Sequence, residues 1–158
     1  MATALIEGGR ELLHWWQAPV AGRPMRVDQR FVRCGVRWDD CVIDGDTLRY
    51  RGESWRIAGL DAPEVRDAAC AEERRRGEAA SERLVMLLSA APFDLIPAGR
   101  GARDRYGRAL ADVRRDRRDV TEAMVREGLA RRNRWGEDPG WCPGENSLTR
   151  LLRNLAGR

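Results

Sequence analysis

Between residues 30 and 58 the chain runs in short alternating or β-branched segments, Arg30 to Val36, Cys41 to Asp44, Thr47 to Arg51 and Ser54 to Ala58. A period of two predicts strands, and Asp44-Gly45-Asp46 and Arg51-Gly52-Glu53 supply the turns between them. Over 67–90 the period lengthens. Gly77, Ala80, Leu84, Leu87 and Leu88 fall on one helical face, with Glu72 to Arg76 covering the outside. Phe93 to Ile96 and Arg108 to Val113 read as two more strands, separated by a glycine- and arginine-rich loop from Ala98 to Gly107. Asp119 followed by Glu122 has the spacing of a capping box, and Gly128 is placed to end the helix it starts. At the ends, residues 2–16 predict a short helix with Leu5, Leu12, Leu13 and Trp16 near one face, broken by Pro19, Gly22 and Pro24. A final helix over 146–156 carries Leu148, Leu151, Leu152 and Leu155. The expected organisation is an N-terminal appendage (1–26), one domain (27–142) and a C-terminal helix (143–158) packing on or extending it. The expected fold class is α+β: a small barrel of about five strands with two to three packed helices.

At 158 residues, 42% hydrophobic and 34% charged, the chain has room for one globular core. The formal charge is +4, and all 29 basic residues are arginine. Arginine favours bidentate phosphate contacts, but GC-rich codon usage produces the same bias, so charge alone only permits nucleic acid as a partner. The absences are sharper. His14 is the only histidine and lysine is missing, which excludes Ser-His-Asp, H-E-x-x-H and Walker-type chemistry. For His14 packing or surface exposure is expected, not catalysis; the neighbouring Trp15 and Trp16 are expected to dock on the main domain, with a partner or membrane-surface contact as the alternative. Glu7, Arg10 and Glu11 interrupt any apolar run, so no signal peptide is recognisable, and no stretch reaches the roughly 18 apolar residues of a spanning helix.

The chemistry that remains must use carboxylates, arginines and a metal ion. Asp46 lies in CVIDGDT, Arg56, Asp61 and Glu64 lie in RIAGLDAPE, and Arg108 lies in DRYGR. An acidic turn alone usually faces solvent. Together with two arginines and a Pro63-stiffened pair of further carboxylates, it forms a set that can hold a hard divalent cation, activate a water and neutralise a phosphate. That combination points to phosphodiester hydrolysis.

These pieces, in this order from about Cys41 to Ala130, resemble the staphylococcal nuclease (thermonuclease) family. The resemblance implies a five-stranded OB-fold barrel with packed helices and calcium-dependent cleavage of DNA and RNA at the 5′ P–O bond, with low sequence specificity. It implies that Asp46, Asp61 and the main-chain carbonyl of Ala62 hold Ca2+, with Asp44 orienting the site. Glu64 is then the general base or water-positioning group, and Arg56 and Arg108 hold the phosphate oxygens. Arg105 and Tyr106 match positions lining the nucleotide site. After Ala130 the resemblance fades: Arg131-Arg132-Asn133-Arg134-Trp135 stands where the family usually places nucleotide-binding tyrosines, and Trp135 either stacks on a base or packs on the barrel. The expected substrate is single-stranded or loosely paired DNA or RNA and the expected state a monomer. The rival reading is a non-catalytic OB-fold module that binds single-stranded nucleic acid.

Cys34, Cys41, Cys70 and Cys142 have no C-x-x-C spacing and make a poor zinc site. Two disulfides, Cys34–Cys41 and Cys70–Cys142, are expected, with buried free thiols as the alternative. Disulfides would place the protein in the periplasm or outside the cell; free thiols and the unrecognisable signal peptide would place it in the cytoplasm.

Overall fold

Two short turns fold the first half of the domain on itself. In the computed structural model, which describes residues 23–36, 38–99, 101–133, 140–144 and 152, β3 (Cys41–Asp44), β4 (Thr47–Tyr50) and β5 (Glu53–Ile57) form an antiparallel meander. Arg51 and Gly52 both have positive φ (51° and 77°), the type I′ geometry whose twist suits a two-residue hairpin. The β3–β4 turn, Gly45-Asp46, lacks positive φ, and a bulge between Val42 and Asp44 adjusts the register there.

The remaining strands curl this meander into a half-barrel. β5 pairs in parallel with β8 (Ala109–Arg115), β8 pairs with β7 (Phe93–Pro97), and β7 pairs with β1 (Met25–Val27), while β2 (Val32–Arg33) lies beside β3 at the opposite edge. Laid flat, the order β1-β7-β8-β5-β4-β3-β2 would put its edges about 29 Å apart at the usual strand spacing. Yet only residues 28–31 join β1 to β2, a reach of no more than about 18 Å. The sheet must therefore curve. Phe31, in that connection, is buried against Tyr50 and Phe93, with ring centroids 6.4 and 5.8 Å away. Its N–H donates to Ser89 Oγ at 2.9 Å. Leu48, Trp55, Ile57, Leu95 and Val113 fill the interior as alternate residues of β4, β5, β7 and β8. The protein is thus the α+β OB-type fold expected from its strand pattern.

Helix α1 (Ala71–Ser89) buries Gly77, Ala80, Ser81, Leu84 and Leu88. Leu87, expected on that face, is only partly buried beside it. The helix starts later than the apolar spacing suggests, because residues 67–70 belong to the preceding loop and Cys70 is the N-cap. Helix α2 (Val120–Arg126) ends as anticipated. Gly128 (φ 71°) donates to Val125 O and Leu129 N to Met124 O, both at 3.0 Å, the paired bonds of a Schellman motif. Its start differs in one respect. Asp119 accepts from Thr121 N at 2.8 Å, but Glu122 extends toward Arg132 (3.7 Å) instead of closing a capping box.

Three short strands were not legible in the apolar pattern: β6 (Leu60–Asp61), β9 (Arg118–Asp119) and β10 (Arg131–Arg132). β10 pairs with β6, setting Arg131 opposite Asp61. Strand 30–36 shortens to β2, since Phe31 turns into the core and Cys34 to Val36 form the approach to a turn. The helix expected over 2–16, with His14, Trp15 and Trp16, lies outside the described residues, as does Trp135. Of the helix expected over 146–156 only Leu152 is described, and it is exposed.

Both expected disulfides are formed, Cys34–Cys41 and Cys70–Cys142, and the free-thiol alternative falls. The second spans 72 residues, and on the loop-entropy account it contributes about 4 kcal/mol. It joins the α1 N-cap to a segment where Arg131 stacks 3.7 Å from the centroid of buried Trp141 and donates to Gly140 O at 2.7 Å. No described helix is long and apolar enough to cross a membrane.

Gly77 is where α1 meets the loop that precedes it: a Cβ there would lie 2.6 Å from Glu64 O and 2.7 Å from Pro63 O. In an ordinary helix interior, glycine to alanine stabilises by up to about 1 kcal/mol. Here Gly77→Ala is expected to destabilise the fold by about 2 kcal/mol, read as a lowered urea midpoint with an unchanged slope.

Candidate active site

The site is built outward from a buried carboxylate. Asp46 is 3% exposed. The turn carrying it can press against the next elements only because residue 45 is glycine: a Cβ there would sit 2.7 Å from the Cβ atoms of both Ala62 and Ala80. That approach lets Ala62 N donate to Asp46 Oδ2 at 3.3 Å. Asp46 Oδ1 accepts from Thr47 Oγ1 and from Arg56 NH1, each at 2.8 Å, and Arg56 NH2 lies 2.8 Å from Oδ2. Asp44 turns its side chain back on the same bend and accepts from Asp46 N at 3.2 Å. Burial, reinforced by the charge of Asp44 and only partly offset by Arg56, raises the Asp46 pKa well above the ordinary carboxylate range.

Sheet register places the arginines. Arg56 stands directly across from Thr47 in the β4–β5 ladder and also donates to Leu60 O at 3.2 Å. Arg108, entering β8, donates NH1 to Thr47 Oγ1 at 3.2 Å and Nε to Asp104 Oδ2 at 2.6 Å. The Thr47 hydroxyl thus donates to Asp46 and accepts from Arg108, joining the two ion pairs into one network. Asp104 organises its own turn, accepting from Tyr106 N (2.9 Å) and Arg108 N (3.0 Å), while Gly107 supplies a φ of 81°. Burial pushes the Asp104 pKa up, but the bonds from the Arg108 guanidinium and these two backbone N–H groups outweigh it, and the net shift is downward.

Glu64 follows Pro63 in the loop leading to α1. Its pKa is raised, first by burial and then by the charge of Asp44, against a lowering influence from Arg56 and further raising ones from Glu73 and Asp67. The field of Asp44 therefore acts on Asp46 and Glu64 together. Asp61 closes β6, half-buried, immediately before Ala62. Tyr106 is 69% exposed, with the Arg105 guanidinium 4.8 Å and that of Arg108 5.4 Å from its ring centroid.

The structure accordingly gathers Asp44, Asp46, Arg56, Ala62 and Arg108 through direct bonds and a shared hydroxyl, brings Glu64 within the same electrostatic field, and sets Arg105 and Tyr106 at the exposed end of the Arg108 turn. Among the described residues no group of three or more acidic, histidine or cysteine side chains stands close enough to hold a metal ion. The donor chemistry nevertheless suits a hard cation: Asp46 and Asp44 are neighbouring carboxylates, and a cation beside them would favour the ionised form of Asp46 that burial disfavours. Thr47 and Asp104 join this network although neither was singled out from the sequence. The signal for Asp104 was present, since aspartate four residues before an arginine, with glycine between, is the pattern of a side-chain-organised turn.

The profile of the family described as "Staphylococcal nuclease homologue" matches residues 54–142, more than half of the chain, and the chain belongs to that family. It is similar to Endonuclease YncB of Bacillus subtilis (strain 168), 37% identical over an alignment of 97 residues that covers 58% of this chain and 45% of YncB. The SPbeta prophage-derived endonuclease YokF of the same organism is 36% identical over 97 residues, 58% of this chain and 32% of YokF. The Succinoglycan biosynthesis protein ExoI of Rhizobium meliloti (strain 1021) is 38% identical over 95 residues, 56% of this chain and 48% of ExoI. The matched region thus spans less than half the length of each of these relatives.

Because Asp104 is more acidic in the folded state, its contribution to stability is fully present above the unfolded carboxylate pKa and is lost as pH falls through the lowered folded value. Asp104→Asn is expected to cost about 2 kcal/mol at pH 7, with the gap to wild type narrowing on acidification. Denaturant midpoints measured from pH 7 down to pH 3 check this.

Proposed function

We propose that the protein is a calcium-dependent nuclease that hydrolyses DNA and RNA with low sequence specificity and prefers single-stranded substrate. The observation that carries this reading is the buried Asp46 carboxylate, held beside Asp44 within the reach of Arg56, Ala62 N–H and a Thr47 hydroxyl shared with Arg108. The resemblance to proteins named endonucleases supports the same reaction class. Asp46, Asp61 and the carbonyl of Ala62 would hold calcium, with Asp44 beside them. The ion would supply positive charge against the phosphate as negative charge builds on it.

The protein's own groups account for the rest. Glu64 takes a proton from the attacking water onto a carboxylate oxygen, and burial favours that role because it moves the group's proton affinity toward neutrality. Water attacks phosphorus in line with the departing 5′ oxygen, which takes a proton from solvent as the P–O bond breaks, leaving a 3′-phosphate and a 5′-hydroxyl. Arg108 commits Nε and one terminal nitrogen to Asp104 and Thr47, and a guanidinium has five N–H donors, so others remain for the phosphate oxygens. Arg56, clamped on Asp46 and Leu60 O, adds a second positive charge for the phosphate. Arg105 and Tyr106 meet the flanking nucleotide, the exposed ring offering a face for a base. The two disulfides fit an oxidising compartment outside the cytoplasm, and the domain is proposed to act as a monomer.

Cleavage of single-stranded DNA, followed with calcium and with chelator, tests the reading. Chelation is expected to abolish turnover, and Glu64→Gln to lower kcat by about 100-fold or more. Cleavage that survives both treatments would defeat the mechanism. Salt-sensitive binding with no cleavage under any condition would identify a nucleic-acid-binding module instead.

A further inference from the structure

Glu73 is a buried carboxylate that the reaction just described does not use. It is 2% exposed, in the first turn of α1, and among the described residues no arginine pairs with it. A charged group so deeply buried needs strong partners. Its partners are backbone N–H groups of the loop before the helix: Ala69 N donates to Oε2 at 2.7 Å, and Glu64 N donates to Oε1 at 3.4 Å. The helix N-terminus, where its own N–H groups point the same way, adds favourable potential. The bond to Ala69 is ordinary capping. The bond to Glu64 reaches nine residues back and is not.

The same peptide is fixed from its other side. Pro63 O and Glu64 O lie against Gly77 so closely that even a methyl group would not fit. Cys70, whose sulfur accepts from Glu73 N at 3.4 Å, ties the loop's far end to Cys142. The Glu64 backbone thus has its N–H bonded to Glu73 and its carbonyl packed close against Gly77 of the helix. Rotating this stretch of loop would break the bond to Glu73 and press a carbonyl into the helix backbone.

We infer that Glu73 is a positioning residue: its buried carboxylate holds the Glu64 main chain, and through it sets where the Glu64 side chain meets the attacking water. This rests on the role proposed above for Glu64. Glutamine at 73 keeps the shape but has one acceptor oxygen in place of two; Ala69 N, the closer donor at 2.7 Å, keeps that oxygen, and the Glu64 N–H, at 3.4 Å, faces the amide N–H and is released. Misplacing a catalytic group by about 1 Å can cost about 100-fold in rate, whereas substrate and ion contacts made elsewhere are untouched.

The test is a double-mutant cycle on the full chain, with steady-state cleavage of single-stranded DNA in calcium. Glu73→Gln is expected to lower kcat by about 10- to 100-fold, with KM and the calcium concentration for half-maximal activity within twofold of wild type. In a Glu64→Gln background the same substitution is expected to cause no further loss, because the group it positions is already gone. Losses that multiply, or an undiminished kcat in Glu73→Gln, would overturn the inference. Should Glu73→Gln fail to fold, amide exchange in the wild-type protein decides: the Glu64 and Ala69 N–H groups should exchange at least 100-fold more slowly than exposed amides, and unprotected exchange at Glu64 refutes the clamp. A fully active Glu64→Gln would instead remove the proposed base. The exchange measurement would then judge the clamp alone.

Discussion

Everything at this site answers to one constraint, the enclosure of the Asp46 carboxylate among protein atoms. A charge taken out of water must be met by oriented donors, and each donor here comes from a different part of the fold. Arg56 comes from the β4–β5 register, Thr47 from the residue after the turn, and Ala62 N–H from the end of β6. Removing any one would leave a buried oxygen short of a partner. The core and the site share the same strands, since those that bury Leu48 and Trp55 on one face carry Thr47 and Arg56 on the other.

A second layer of support lies at the start of α1, and its logic is different. Around Asp46 the forces are ionic; around Glu64 they are steric and peptidic. Gly77 allows backbone to lie on backbone, and Glu73 binds N–H groups in a place where the chain has no regular structure to satisfy them. The Cys70–Cys142 bridge then connects this loop to the segment held by Arg131 and Trp141, and the β6–β10 pair ties the same region to Asp61. The loop bearing the proposed base is an irregular stretch tied at several points to the helix and to the disulfide.

Much of this was legible in the residues alone, and what was not has identifiable causes. Strands with both a periodic pattern and a turn signal, such as β3 to β5, fell within a residue of expectation, because pattern and turn chemistry agreed. β6, β9 and β10 have two residues each, too few to show a period. The acid-and-arginine motifs were readable as chemistry, and Asp46, Arg56 and Arg108 do converge. Thr47 and Glu73 were invisible as site residues for opposite reasons. Thr47 looked like any β-branched strand residue, and Glu73 like one more charge on a solvated helix face. The α1 start was misplaced because its N-cap is a cysteine, which carries none of the usual side-chain signal.

The contact of Gly45 with Ala62 and Ala80 also limits how this site can vary over evolutionary time. Any larger residue at 45 would have to be matched by loss of side chain at both 62 and 80, which already carry only a methyl group. Drift at the acidic turn is therefore coupled to a helix residue distant from it in sequence. Among descendants of this chain, positions 45, 62 and 80 should be inherited as a set, with a bulkier side chain at 62 or 80 tolerated only where it can point away from the turn.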